Sequence, residues 1–214
     1  MAFRVAVLVS GTGTNLQAIL DTVHGEEGIE VVGVASSRRD ARGLERARQS
    51  GVESEVFELA AYAERDERDR AMADWLDARE ADLVVLAGFM ELLGSEFIAR
   101  FRNRIINVHP ALLPAFPGVH AIEQALAHGV KVIGVTVHFV DEGVDSGPII
   151  LQEALELSYP SEIAEVEDRV HRVEHRLLPQ AIRLIAAGRV RIDADNPRLV
   201  MIEPDRQDER GDAG

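Results

Sequence analysis

Residues 3–16, Phe-Arg-Val-Ala-Val-Leu-Val-Ser-Gly-Thr-Gly-Thr-Asn-Leu, decide the fold. Phe3–Val9 is a short, valine-rich run, the pattern of a strand covered on both faces. It breaks into a turn with two glycines, and from about Asn15 apolar residues recur at helical spacing. Strand, glycine turn and helix in that order open a βα unit, whose next strand lies parallel to the first.

The same alternation continues outward. Ile29–Ala35 reads as a strand followed by a helix from about Ala41, and Leu83–Ala87 as a strand followed by a helix from about Ser95. Tyr62–Arg79 reads as a charged flanking helix with an apolar stripe at Met72, Trp75 and Leu76. Arg104–Val108 is a strand ended by His109-Pro110, and Val119–His128 a helix stopped by Gly129. Val132–Val140 and Ile149–Leu155, joined around Gly143, form an antiparallel hairpin at a sheet edge. Ser161–Ala187 is a long helix with Ser161 as its N-cap, Gly188 as its stop and Pro179 expected to kink it. The expected fold class is α/β: three layers, Rossmann-like, with a mostly parallel sheet and an antiparallel edge hairpin. One domain is expected over residues 1–203, followed by a polar, disordered tail at 204–214.

Composition narrows the chemistry. The chain has 214 residues, 23 Lys and Arg against 37 Asp and Glu, a formal charge of −14 and no cysteine. Thiolate nucleophiles, disulfides and Cys-ligated zinc are therefore excluded. Lys131 is the sole lysine, which removes a catalytic lysine almost everywhere. The longest apolar runs fall far short of the ~20 residues of a membrane span, and a cytoplasmic protein without a cleaved leader is expected. So acidic a surface works against nucleic acid and anionic membranes and leaves a small-molecule ligand.

Three motifs bear on function. The turn Ser10–Asn15 can bring backbone N–H groups and a helix N-terminus to a phosphate. Leu16 replaces the third glycine of a dinucleotide fingerprint and no Walker lysine follows, so a monophosphate fits better. In Ile105–Pro110, strand alternation puts Asn107 and His109 on one side, at the carboxyl end of the sheet where open α/β folds bind ligands. An amide and an imidazole converging there suit an acyl-transfer oxyanion, although a buried polar pair satisfied by backbone carries the same signature. The loop Asp141–Pro148 is acidic, and a carboxylate from it beside His109 would favour the imidazolium. Two patterns are decoys. His171, Glu174 and His175 match H-x-x-E-H, but too little chain follows to bring a further zinc ligand. Arg38 and Arg39 after the second strand resemble an NADP 2′-phosphate site without its glycines.

"VLVSGTGTNLQAIL", "LAGFMELL", "NVHPALLPAFPG" and "VHFVDEGVDSGPIILQ", in this order, resemble the folate-dependent formyltransferase family from about residue 3 to about 190. The resemblance implies formyl transfer from 10-formyltetrahydrofolate as co-substrate, with no metal. The early Gly-Thr-Gly-Thr-Asn turn is similar to members that formylate the amine of phosphoribosylglycinamide in purine biosynthesis. It implies catalytic roles for Asn107, His109 and Asp145. It implies phosphate binding by Gly13, Thr14 and Asn15, with Glu174 near the glycinamide. Arg65, Met90, Glu91, Leu92, Leu93, Val140, Asp141, Glu142 and Gly143 would line the folate pocket. Glu91 and Ala115 depart from the family's pattern, which has basic residues there. The partners implied are these two small molecules, with neither nucleic acid nor membrane; a homodimer stays open.

Overall fold

The computed structural model describes residues 1–204. Seven strands form one sheet: β1 (Phe3–Val9), β2 (Ile29–Ser36), β3 (Ser54–Val56), β4 (Leu83–Leu86), β5 (Ile105–His109), β6 (Val132–Phe139) and β7 (Ile149–Glu156). Their order across the sheet is β3-β2-β1-β4-β5-β6-β7. The first five are parallel, and β6 and β7 run antiparallel to their neighbours as the expected edge hairpin. The mostly parallel α/β architecture thus agrees with the sequence reading.

Period-two alternation splits the strands between two cores. Val5, Val7 and Val9 of β1 and Leu83 and Val85 of β4 join one core, with Leu16 and Ile19 of α1 (Thr14–Thr22) and Val170, Leu177 and Leu178 of α6 (Ile163–Ala186). Ala6 and Leu8, with Val84 and Leu86, point the other way. They meet Met72 and Leu76 of α3 (Arg65–Asp77) and Phe97 of α4 (Ser95–Arg100). At about 1.5–3 kcal/mol per fully buried large apolar side chain, these faces dominate the stability. On β5, Ile106 and Val108 belong to the first core and Ile105 to the second, so Asn107 and His109 share the second face with Ile105. Helices α2 (Arg42–Gln49) and α5 (Ala121–His128) complete the set.

Several boundaries differ from expectation. The flanking helix begins at Arg65: Leu59–Ala61 is a separate 3₁₀ turn, Glu64 is extended, and Glu67 reaches back to the Ala63 N–H. Strand β5 includes His109. Ser161 does not cap α6. Its hydroxyl donates to the Ser158 carbonyl, and the helix starts at Ile163. Helix α5 starts at Ala121, after His120 in the left-handed region, and leaves Val119 exposed. Helix α6 continues through buried Pro179 to Ala186. Strand β3 and a small hairpin of β8 (Val190–Ile192) with β9 (Val200–Ile202) went unanticipated. Past Pro204 itself, the expected tail lies outside the described residues.

Candidate active site

Strand β1 lies between β2 and β4, so the order of strands reverses direction there, and the crevice at their carboxyl ends is where such sheets bind ligands. One buried hydroxyl joins the turns around this crevice. Ser10 Oγ accepts from the Met90 N–H at 2.8 Å and lies 2.6 Å from Ser37 Oγ, while the Ser10 N–H donates to the Gly88 carbonyl.

The three residues expected to carry chemistry come together. Asp145 Oδ2 lies 3.3 Å from His109 Nδ1, and Oδ1 accepts from Asn107 Nδ2 at 3.3 Å. Oδ2 also accepts the Gly118 N–H at 2.7 Å, and His109 Nε2 is 2.8 Å from the Phe116 carbonyl. In the imidazolium form both ring nitrogens of His109 donate, one toward each acceptor. A second imidazole, His138, stands 3.5 Å from Asp145 Oδ1 and 3.3 Å from Asn107 Nδ2. Burial is the largest single influence on the Asp145 carboxyl and raises its pKa. The His138 and Gly118 hydrogen bonds and the charge on His109 and His138 outweigh it, leaving the group below the usual carboxylate range.

The glycine turn forms as expected. Gly13 has φ +69°, and a Cβ there would lie 2.7 Å from the Gly43 Cα, so the turn's approach to α2 needs glycine. Thr14 opens α1, and Asn15 donates from Nδ2 to Glu174 Oε2 at 3.0 Å across 159 residues of sequence. Glu174 is buried, and burial lifts its pKa against the Asn15 hydrogen bond and the His171 charge. His175 is pushed the opposite way, by burial first and then by His171 and Arg46. Asn15 Oδ1 and His175 Nε2 are buried without a hydrogen-bond partner among the described residues. Glu174 is thus turned to Asn15 in the zinc-like motif. Arg38 pairs with Asp40 and Arg39 with Glu58, which occupies both guanidinium groups of the other decoy.

The remaining candidates divide into three groups. Met90 and Leu92 are 74% and 63% exposed, beside half-buried Leu93. Glu91 does not stand free: its Oε2 lies 3.6 Å from Nη1 of fully buried Arg68. Val140, Asp141, Glu142 and Gly143 line a cavity of about 500 Å³ with Ile98 and Arg198. Asp145 itself borders a different cavity of about 310 Å³, between Leu113 and Ile149. Arg65 is exposed at the start of α3, and no hydrogen bond or ion pair ties it to the other candidates among the described residues.

Sequence reasoning passed over His138, Arg68 and Asp69. For His138 a signal exists. Thr136 and His138 are the polar residues at period two in a buried strand, and register sets them directly opposite His109 and Asn107. Arg68 and Asp69 are indistinguishable in sequence from their solvated neighbours.

The formyl transferase family model matches residues 3–182. Phosphoribosylglycinamide formyltransferase of Haemophilus influenzae is 40% identical over 190 residues, covering 88% of this chain and 90% of the relative. The bovine trifunctional purine biosynthetic protein adenosine-3 is 40% identical over 94% of this chain; the chain spans 20% of that relative's length. The crystal structure of glycinamide ribonucleotide transformylase 1 from Symbiobacterium toebii superposes with a TM-score of 0.90 at 50% identity, covering 95% of each chain. By the match over residues 3–182, the chain belongs to the formyl transferase family.

Proposed function

We propose that the chain transfers the formyl group of 10-formyltetrahydrofolate to the amine of 5-phosphoribosylglycinamide, as a single catalytic domain over residues 1–203 acting in the cytoplasm. The observation that carries this is the meeting of Asn107, His109 and Asp145 at the carboxyl end of β5, on the same side of the sheet as the glycine turn that follows β1 and suits one phosphate. The relatives named as phosphoribosylglycinamide formyltransferases support the choice of amine and the purine pathway.

The amine nitrogen bonds to the formyl carbon, and the carbonyl π pair moves onto oxygen. Asn107 and His109 donate to that oxygen, whose entry displaces acceptors they hold in the protein, the Phe116 carbonyl among them. Asp145 holds the imidazolium and, directly or through water, relays the proton lost by the attacking nitrogen to N10 of the folate. The bond from carbon to N10 then breaks and the carbonyl reforms. Both reactants come from outside the chain, so the protein supplies orientation and charge stabilisation. Gly13, Thr14 and Asn15 take the phosphate and Glu174 the glycinamide end. Arg65, Met90–Leu93 and Val140–Gly143 take the folate.

The test mixes purified chain with phosphoribosylglycinamide and a 10-formyl folate and follows the absorbance of the deformylated product. Stoichiometric formylated amine is expected. Formyl release to water alone, or binding without turnover, overturns the reading. Sedimentation of the same sample determines whether a homodimer forms.

A further inference from the structure

Residues 89–94, between β4 and α4, are irregular, and their backbone is held from outside by three side chains. Ser10 Oγ takes the Met90 N–H, Arg68 Nη2 donates to the Leu92 carbonyl at 3.2 Å, and Asp69 Oδ2 takes the Gly94 N–H at 2.6 Å. Two of these three are adjacent residues of α3. Neighbours at i and i+1 do not face each other on a helix, so this is not a generic helix-stabilising pair. Arg68 is nonetheless fully buried, with Nε and Nη2 both on Asp69 Oδ1, at 2.8 and 2.5 Å. The remaining oxygen and the shared Nη2 are aimed at the 89–94 backbone. A buried ion pair adds little net stability over apolar replacements, which directs attention to the conformation it selects. That conformation turns Met90 and Leu92 outward and draws the Glu91 carboxylate toward Nη1, the one guanidinium nitrogen of Arg68 without a hydrogen bond.

We propose that Arg68 and Asp69 are positioning residues for the formyl donor: their ion pair sets the backbone of residues 89–94, and so the apolar face of Met90 and Leu92 that receives the folate. This rests on the reading of that segment as folate-lining. Removing one partner strands a buried charge, so the test variant removes both, as Arg68→Met with Asp69→Leu. Expected are a melting temperature near that of wild type and a ribonucleotide KM within about twofold. Folate KM should rise about tenfold or more, with kcat at saturating folate within about threefold, the pattern of lost donor binding. Hydrogen exchange should quicken at the Met90 and Gly94 amides while those of β1 and β4 keep their protection. A purely structural role would move melting temperature and leave this split absent. If the double variant does not fold, Arg68→Lys, which keeps a cation beside Asp69 but loses the forked reach to the Leu92 carbonyl, should raise folate KM alone by a smaller factor. An active wild type matched in folate KM by a folded variant overturns this inference and leaves the proposed function standing. A wild type that transfers no formyl group removes both.

Discussion

Asp145 holds a φ of +49°, a conformation that costs a non-glycine residue on the order of 1 kcal/mol or more, and its bond to the Gly118 amide helps keep it there. The side chain so placed meets Asn107 and His109. His109→Ala and Asp145→Asn should each lower kcat by about 10²–10³ while circular dichroism stays native, the usual loss for one oxyanion contact or its support. Near-wild-type turnover in either variant would take that residue out of the mechanism. His138 supports a finer expectation. The Asp145 carboxyl lies below its ordinary range, so it stays ionised until pH falls through that depressed value. The His138 hydrogen bond leads the influences that lower it. His138→Ala should therefore raise the Asp145 pKa and move the acid limb of the kcat/KM profile to higher pH. An acid limb that stays in place would show that His138 only packs.

At the scale of elements, the glycine turn is the feature whose function and conformation depend on a single residue. Gly13→Ala puts a side chain at φ +69° and against the Gly43 backbone, a strain on the order of 1–3 kcal/mol. Since the same residue is the N-cap of α1, ribonucleotide KM should rise more than folate KM, and a calorimetric melt should report the lost stability. Equal effects on both substrates would detach the turn from the phosphate. The long strands and helices were legible in the sequence because two-sided burial leaves uninterrupted apolar runs such as Leu83–Leu86. Strand β3 has three residues and half-buried ends, too short for any period to register. The start of α6 was misread because Ser161 precedes a helical pattern and looks like a cap, whereas its hydroxyl is spent on the Ser158 carbonyl. Asn107 and His109 were legible because two residues on one strand define a face without knowledge of anything else. The Asn15 to Glu174 bond was not, because nothing local connects residues 159 apart.

Across the whole molecule, the proposed cleft contains two carboxyls displaced in opposite senses, and their linkage to folding has opposite sign. Asp145, lowered in the folded state, contributes stability that is present above the unfolded carboxyl pKa and is lost as pH falls through its folded pKa. Glu174, raised in the folded state by burial, contributes stability that is present below the unfolded value and is lost as pH rises through its folded pKa. His175, lowered mainly by burial, adds to the acid-side loss, since the unfolded chain takes up that proton first. The general field of 37 acidic against 23 basic residues also changes with pH, through self-repulsion that eases toward the isoelectric point near 4.9. Melting curves of wild type alone therefore mix all four contributions. Differences between each variant and wild type at the same pH cancel most of the shared background. Glu174→Gln should gain stability relative to wild type as pH rises from the acid side, because it cannot ionise in the buried site. Asp145→Asn should lose stability relative to wild type over the same rise, and fall less steeply on acidification, with the His175 contribution left in place. If the two difference curves slope the same way, the carboxyls are not oppositely displaced, and the electrostatic account of the cleft fails while the fold stands.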